Sequence, residues 1–175
     1  KEIGVSAIFG SINYDSGDLI AQQKIKIKYP IKISNAIKLN NQNYLKLVGV
    51  LINKILNGEK LVGVPQNNFE ATYSIWRDFN DFNIDWNQSS EYIKRFIDAL
   101  DYPYSGATCS TSNGIKLRII NAEIVDDIKC ELRHIGKVIF IKQGKPTIIC
   151  GKGLLQITEA YEIKDNTVVN FLPIK

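Results

Sequence analysis

Asp15 stands in the run Asp15-Ser16-Gly17-Asp18, between the apolar stretch 3–9 and the residues Leu19-Ile20. A tight Asp-Ser-Gly turn at that place holds a carboxylate at a loop tip, where it can orient a catalytic partner or take part in proton movement. The same side chain could instead cap the turn through Gly17, and Asp18 has the better claim to a turn or solvent role. A second group lies within 69–82, where Phe69, Tyr73, Trp76, Phe79 and Phe82 accompany Arg77. Aromatic faces stack on a nucleotide base and a guanidinium pairs with a diphosphate, which makes Tyr73, Trp76 and Arg77 candidate substrate-binding residues. The competing expectation is that these rings form a core between two parts of the chain. His134, the single histidine, follows Arg133 and reads as a surface or strand-edge residue. Cys150-Gly151-Lys152-Gly153 is glycine-rich but lacks the full phosphate-loop pattern and precedes a strand, so it reads as a β-turn.

The elements that position these residues follow from periodicity. Residues 3–9 read as a buried strand, apolar on both faces, and a second strand runs from Leu19 to about Lys28. In the latter, Lys24, Lys26 and Lys28 alternate with Ile25 and Ile27, the pattern of a strand with one wet face. Ser34 or Asn35 caps a helix that reaches about Leu56 and stops at Asn57-Gly58. Its apolar residues Tyr44, Leu47, Val48, Leu51, Ile52 and Ile55 fall on one continuous face. The stretch 61–84 reads as irregular. A second helix spans about Ser90 to Leu100, with Ile93, Phe96, Ile97 and Leu100 on one side and Tyr102-Pro103 ending it.

Beyond Pro103 the segments become short and β-branched. Strands are expected over 114–124, 135–142, 146–150, 153–158 and 167–174, most of them separated by turns at Asn113-Gly114, Gln143-Gly144 and Asp165-Asn166. Ser105 marks the change from an α/β part to an all-β part, and strands at this spacing suggest a small barrel or sandwich.

Composition sets broad bounds. With 22 basic and 18 acidic residues the 175-residue chain carries +4, well short of a nucleic-acid-binding balance. The three cysteines form no Cys-x-x-Cys pair, so free thiols in a reducing cytoplasm are expected, with no metal site. No run approaches the roughly 18 apolar residues that cross a bilayer, and no signal peptide is read, so no membrane association is expected. The sequence begins at Lys1 and contains no Met, which leads to the expectation of a fragment.

Four places, in order, resemble the folate-dependent formyltransferases. Gly4-Val5-Ser6 with Asp15-Ser16-Gly17-Asp18-Leu19-Ile20 is similar to the Gly-Val-Thr/Ser…Asp-x-Gly-x-Ile run of that catalytic domain. Pro65-Gln66, Glu70-Ala71-Thr72-Tyr73, Arg77 and Ile84-Asp85-Trp86 resemble its later signature. Phe96-Ile97-Asp98-Ala99 with Tyr102-Pro103-Tyr104-Ser105-Gly106-Ala107 resembles the segment that closes the domain, apart from Asp98, where Arg is usual. Gly136-Lys137-Val138-Ile139 and Cys150-Gly151-Lys152-Gly153-Leu154-Leu155 resemble the family's C-terminal barrel.

The resemblance implies an α/β fold: part of a Rossmann-like formyltransferase domain in 1–104, its C-terminal portion, followed by a small all-β, barrel-like domain in 105–175. It implies N10-formyltetrahydrofolate as co-substrate and a catalytic role for Asp15, which would orient and charge-stabilise a histidine. It makes Ser11, Ile12, Asn13 and Tyr14 candidate cofactor-binding residues, although an ordinary surface loop remains the alternative for them. The family's Asn-x-His pair is absent here, and the resemblance places it, with the first strands of the sheet, outside these residues. The wording around Tyr73, Trp76 and Arg77 resembles the enzymes that formylate a nucleotide-linked amino sugar, whose products enter surface polysaccharide such as O-antigen. Mild charge and a C-terminus at 171–175 without a long basic extension point the same way. Methionyl-tRNA formyltransferase, with tRNA as partner, is the alternative, and an inactive binding module or partner subunit is a third. A homodimer is compatible by analogy.

Overall fold

A computed structural model describes residues 1–169. They form two compact units, Lys1–Ile31 with Asn35–Trp76, and Lys32–Ser34 with Arg77 onward.

The first unit contains the strands β1 (Glu2–Ile8) and β2 (Leu19–Lys26), paired antiparallel with Ile3 opposite Ile25 and Val5 opposite Gln23. β1 is not buried on both faces as expected. Its residues alternate between exposed and half-buried, because it belongs to a two-stranded sheet. No parallel, Rossmann-like sheet occurs among the described residues. Helix α1 (Ile33–Leu56) forms where periodicity places it and ends at Gly58, whose φ of 74° only glycine adopts without strain. Leu47 and Ala36 are buried, and Asn40 Nδ2 donates to Gly4 O at 3.3 Å. Tyr44, Val48, Ile52 and Ile55, assigned to the same apolar face, are exposed.

The second unit is an antiparallel sheet of five strands, in the order β3 (Ala107–Ser110), β4 (Lys116–Val125), β7 (Leu154–Glu162), β6 (Lys145–Ile149), β5 (Val138–Lys142). No pairing joins β3 to β5 among the described residues, so the sheet is open there. Four of the five expected strands form within a few residues of their anticipated limits. β3 was not anticipated, since Ala-Thr-Cys-Ser lacks an apolar repeat; it exists because it pairs with β4, Ala107 opposite Ile119. Of the expected strand 167–174, Val168 bridges Tyr161, while 170–174 and the C-terminal stretch 171–175 lie outside the described residues. Gln143 and Gly144 both have positive φ, the geometry that lets a two-residue hairpin match the strand twist between β5 and β6.

Helix α2 (Ser90–Ala99) lies on β4 and β7. Ile93, Ile97 and Leu100 join Leu117, Ile119, Ala122, Leu155, Ile157 and Ala160 in the core, with Phe82 and Trp86 at its margin. Burying each such isoleucine or leucine is worth about 1.5–3 kcal/mol. The Ser89 hydroxyl accepts from Tyr92 N–H at 3.2 Å and caps the helix. Asp98 is buried, and Lys94 Nζ donates to both of its oxygens at 2.6 and 2.5 Å.

The turn 150–153 between β6 and β7 seats the start of α2. Cys150 N–H closes it on Gly153 O at 3.2 Å. Gly151 N–H donates to Trp86 O and Gln88 O at 2.9 and 3.0 Å, and Ser90 N–H donates to Lys152 O at 2.8 Å. A Cβ on Gly151 would overlap the Asn87 carbonyl. Arg133 holds the turn from the other side: Nε donates to Cys150 O at 2.9 Å, and Nη2 donates to Gly153 O and Asp127 Oδ1 at 2.7 and 2.8 Å. The glycine-rich sequence is therefore a docking turn.

Just past α2, Asp101 receives Ser34 Oγ–H at 2.8 Å, with Lys32 Nζ 3.5 Å from its other oxygen. Burial raises the Asp101 carboxyl, but hydrogen bonds from Ser34 and Tyr102 N–H and the Lys32 charge outweigh it and hold the group below its ordinary 3.8. Among the described residues no helix is long and apolar enough to cross a membrane.

Two stability measurements follow. Gly151→Ala is expected to lower unfolding free energy by about 1–3 kcal/mol in urea titration. Gly49→Ala, inside α1 with nothing within 4 Å of the new methyl, is expected to raise it by about 0.5–1 kcal/mol. A carboxyl held low in the fold stabilises above its unfolded value and ceases to as pH falls through its folded one. Asp101→Asn is thus expected to lose stability near neutrality and to fall less steeply than the parent on acidification below pH 3.8, read by thermal unfolding against pH.

Candidate functional site

The loop between β1 and β2 is closed at its base by main-chain pairing. Phe9 N–H donates to Asp18 O at 3.0 Å, and Leu19 exchanges hydrogen bonds with Val64 at 2.8 and 2.9 Å. Gly17 is buried against the Phe9 carbonyl, where any Cβ would overlap it. At the tip, Ser11 Oγ donates to Asn13 O at 2.8 Å and lies 2.8 Å from Ser16 Oγ, which donates to Asn13 O at 3.0 Å. The candidate residues Ser11, Ile12, Asn13 and Tyr14 are thus brought together, with the side chains of Ile12 and Tyr14 in solvent.

Asp15 adopts φ 53°, a left-handed conformation that Asp tolerates better than most residues. Its main-chain carbonyl accepts from Gln66 Nε2 at 2.8 Å, and the same nitrogen donates to Gly17 O at 2.7 Å. Among the described residues no hydrogen bond engages the Asp15 carboxylate, so it does not cap the turn. What the arrangement offers is an exposed, uncommitted carboxylate on a loop whose main chain is held from both sides. Such a group can orient and charge-stabilise an imidazolium or hold a water.

Tyr73, Trp76 and Arg77 lie in the stretch 71–78, which has no regular secondary structure. Trp76 is 99% exposed and Tyr73 92%, with Phe69 and Phe79 similar. The expectation of a ring-built core therefore fails for these four, while Phe82 and Trp86 do join the second unit's core. Tyr73 and Trp76 are exposed, as is Arg77, and these residue types can supply stacking faces and a bidentate cation.

Asp85 serves structure: its carboxylate accepts from Gln88 Nε2 at 3.0 Å and from Asn87 Nδ2 and N–H at 2.8 and 3.0 Å, and these bonds hold it below the ordinary carboxylate range. His134 is exposed in the turn before β5. Burial pushes the Cys109 and Cys150 thiols up to about 11, which leaves them protonated and poor nucleophiles. Gln66 is the residue that sequence reasoning left without a role. Its signal was the Pro65-Gln66 pair directly after the apolar run 61–64.

Comparison with known proteins gives a consistent picture. Residues 78–169, 92 of 175, match the family described as formyl transferase, C-terminal domain. The methionyl-tRNA formyltransferase of Syntrophomonas wolfei is 26% identical over 159 residues, covering 91% of this chain and 49% of that protein. That of Azobacteroides pseudotrichonymphae is 33% identical over 139 residues, covering 72% and 41%. The chain therefore spans about half the length of the curated relatives it matches. Among solved structures, HypX from Aquifex aeolicus in complex with tetrahydrofolic acid superposes with a TM-score of 0.72 at 19% identity, covering 97% of this chain and 29% of that one. The N-formyltransferase from Helicobacter canadensis, in complex with folinic acid and dTDP-3-aminofucose, gives 0.64 at 19% identity, covering 89% and 55%. These two likenesses concern the fold. With more than half of its residues matched to the family's C-terminal domain, this chain belongs to the formyltransferases.

Proposed function

We propose that the chain serves an N-formyltransferase that moves the formyl group of N10-formyltetrahydrofolate to the amine of a nucleotide-linked amino sugar. The observation that carries the reading is the unengaged Asp15 carboxylate on its main-chain-held loop. In such a reaction an amine nitrogen forms a bond to the formyl carbon and the bond from that carbon to N10 of the folate breaks. Negative charge gathers on the formyl oxygen, and a proton passes from the amine towards the departing nitrogen. Asp15 orients and charge-stabilises the imidazole that handles this proton. The family's Asn-x-His pair is not in residues 1–175, so that imidazole comes from outside them.

On this reading residues 1–104 are the C-terminal portion of a Rossmann-like catalytic domain and 105–175 a small barrel-like domain. Ser11, Ile12, Asn13 and Tyr14 line the folate site of a cytoplasmic enzyme. Folate and a dTDP-sugar bound to structural neighbours support the co-substrate and the acceptor class. Tyr73 and Trp76 stack on the base and Arg77 pairs with the diphosphate, supported by their exposure in one extended stretch. A second reading, transfer to the amine of methionyl-tRNA, is favoured by the names of the curated relatives.

The test is tetrahydrofolate release by the gene product that carries this chain, offered a panel of dTDP- and UDP-amino sugars or methionyl-tRNA. Turnover with one sugar nucleotide, reduced about 100-fold or more in Asp15→Asn, is expected. Turnover with methionyl-tRNA alone would transfer the function to the second reading. Absence of turnover with every acceptor would overturn both and leave a binding module or partner subunit.

A further inference from the structure

We infer that Gln66 is a positioning residue for formyl transfer: its side-chain amide sets the direction of the Asp15 carboxylate through the loop's main chain. The inference rests on the reading of Asp15 above.

One nitrogen, Gln66 Nε2, reaches the carbonyls on both sides of Ser16, Asp15 O at 2.8 Å and Gly17 O at 2.7 Å. A primary amide carries two N–H donors on that nitrogen, so each carbonyl takes its own. The rest of the loop is held elsewhere. The serine hydroxyls tie 11–16 at the Asn13 carbonyl, and Phe9 with Asp18 closes the base. Nothing else among the described residues reaches the Asp15 carbonyl. The left-handed conformation at Asp15 is disfavoured for a residue with a Cβ, and the bond from Gln66 to its carbonyl helps to hold it. The orientation of that peptide sets the Cα–Cβ direction and with it the carboxylate.

Gln66 is itself placed by main chain. Val64, two residues before it, is paired with Leu19 on both its N–H and its carbonyl, and Pro65 between them has a ring-fixed φ. The amide is thus anchored to the first residue of the strand that leaves the loop. Gln66 acts on chemistry without touching the reacting atoms.

Gln66→Glu separates this role from simple space filling, because the two side chains have the same shape. An ionised carboxylate has no donor and repels both carbonyls; a protonated one regains a single donor. The experiment measures kcat of the gene product against pH for the parent, Asp15→Asn and Gln66→Glu, using the acceptor found active, and takes variant-to-parent ratios. Gln66→Glu is expected to fall about 10- to 100-fold at neutral pH. Its ratio to the parent is expected to recover as pH drops towards the ordinary glutamate value of about 4.3. A ratio near one at every pH, with Asp15→Asn inactive, overturns the inference and leaves the reading of Asp15 intact. Full activity in Asp15→Asn overturns that reading and the inference with it. Should Gln66→Glu fail to fold, Gln66→Met, of similar length and without a donor, replaces it with a pH-independent loss expected.

Discussion

The second unit depends on a place where two main chains touch with no side chain between them. Gly151 lies against the Asn87 carbonyl, and its single N–H is shared by Trp86 and Gln88. That approach brings Ser90 to Lys152 and starts α2 at a fixed point over the sheet. From there Ile93 and Ile97 fall on β4 and β7 because a helix repeats every 3.6 residues. Arg133 supports the arrangement by satisfying the carbonyls at both ends of the turn, which a lysine, with one point charge, could not do in the same geometry.

The first unit rests on the same principle in a different form. The β1–β2 loop owes its shape to main-chain contacts at its base and to one amide reaching two carbonyls near its tip, with little apolar burial. Backbone hydrogen bonds define direction better than apolar contacts do, since they fall off steeply with angle. A carboxylate meant to face a partner gains from such support, and it keeps its own hydrogen-bonding capacity free. Substrate-contacting roles proposed for Tyr73, Trp76 and Arg77 sit on a different kind of surface, extended and solvent-exposed. Ordering those side chains around a ligand carries an entropic cost that the Asp15 loop does not incur.

Much of the local structure was legible because local rules decided it. Both helices appear where three- and four-residue spacing places them, and α2 ends at Ala99, shortly before Tyr102-Pro103, where the residue preceding proline avoids helical geometry. Gln143-Gly144 makes the anticipated hairpin turn. The order of the formyltransferase motifs identified the family. By contrast, β3 was missed because Ala-Thr-Cys-Ser becomes a strand only when β4 lies beside it. The expected burial of β1 and of α1's apolar face also failed: an apolar pattern states which surface can be covered, and coverage requires a neighbour.

Both helices, every strand but β3 among those described, the turns and the family follow from the residues alone, since propensity, periodicity and motif order act over a few residues. The roles of Cys150-Gly151-Lys152-Gly153 as a docking turn and of Gln66 as the holder of Asp15 and Gly17 emerge once the chain is folded. Both depend on main-chain carbonyls met by donors 49 to 65 positions away, and those carbonyls are the same in every residue type. Sequence carries no mark of which carbonyl an amide will reach; the fold supplies it by setting the two within 3 Å of one another.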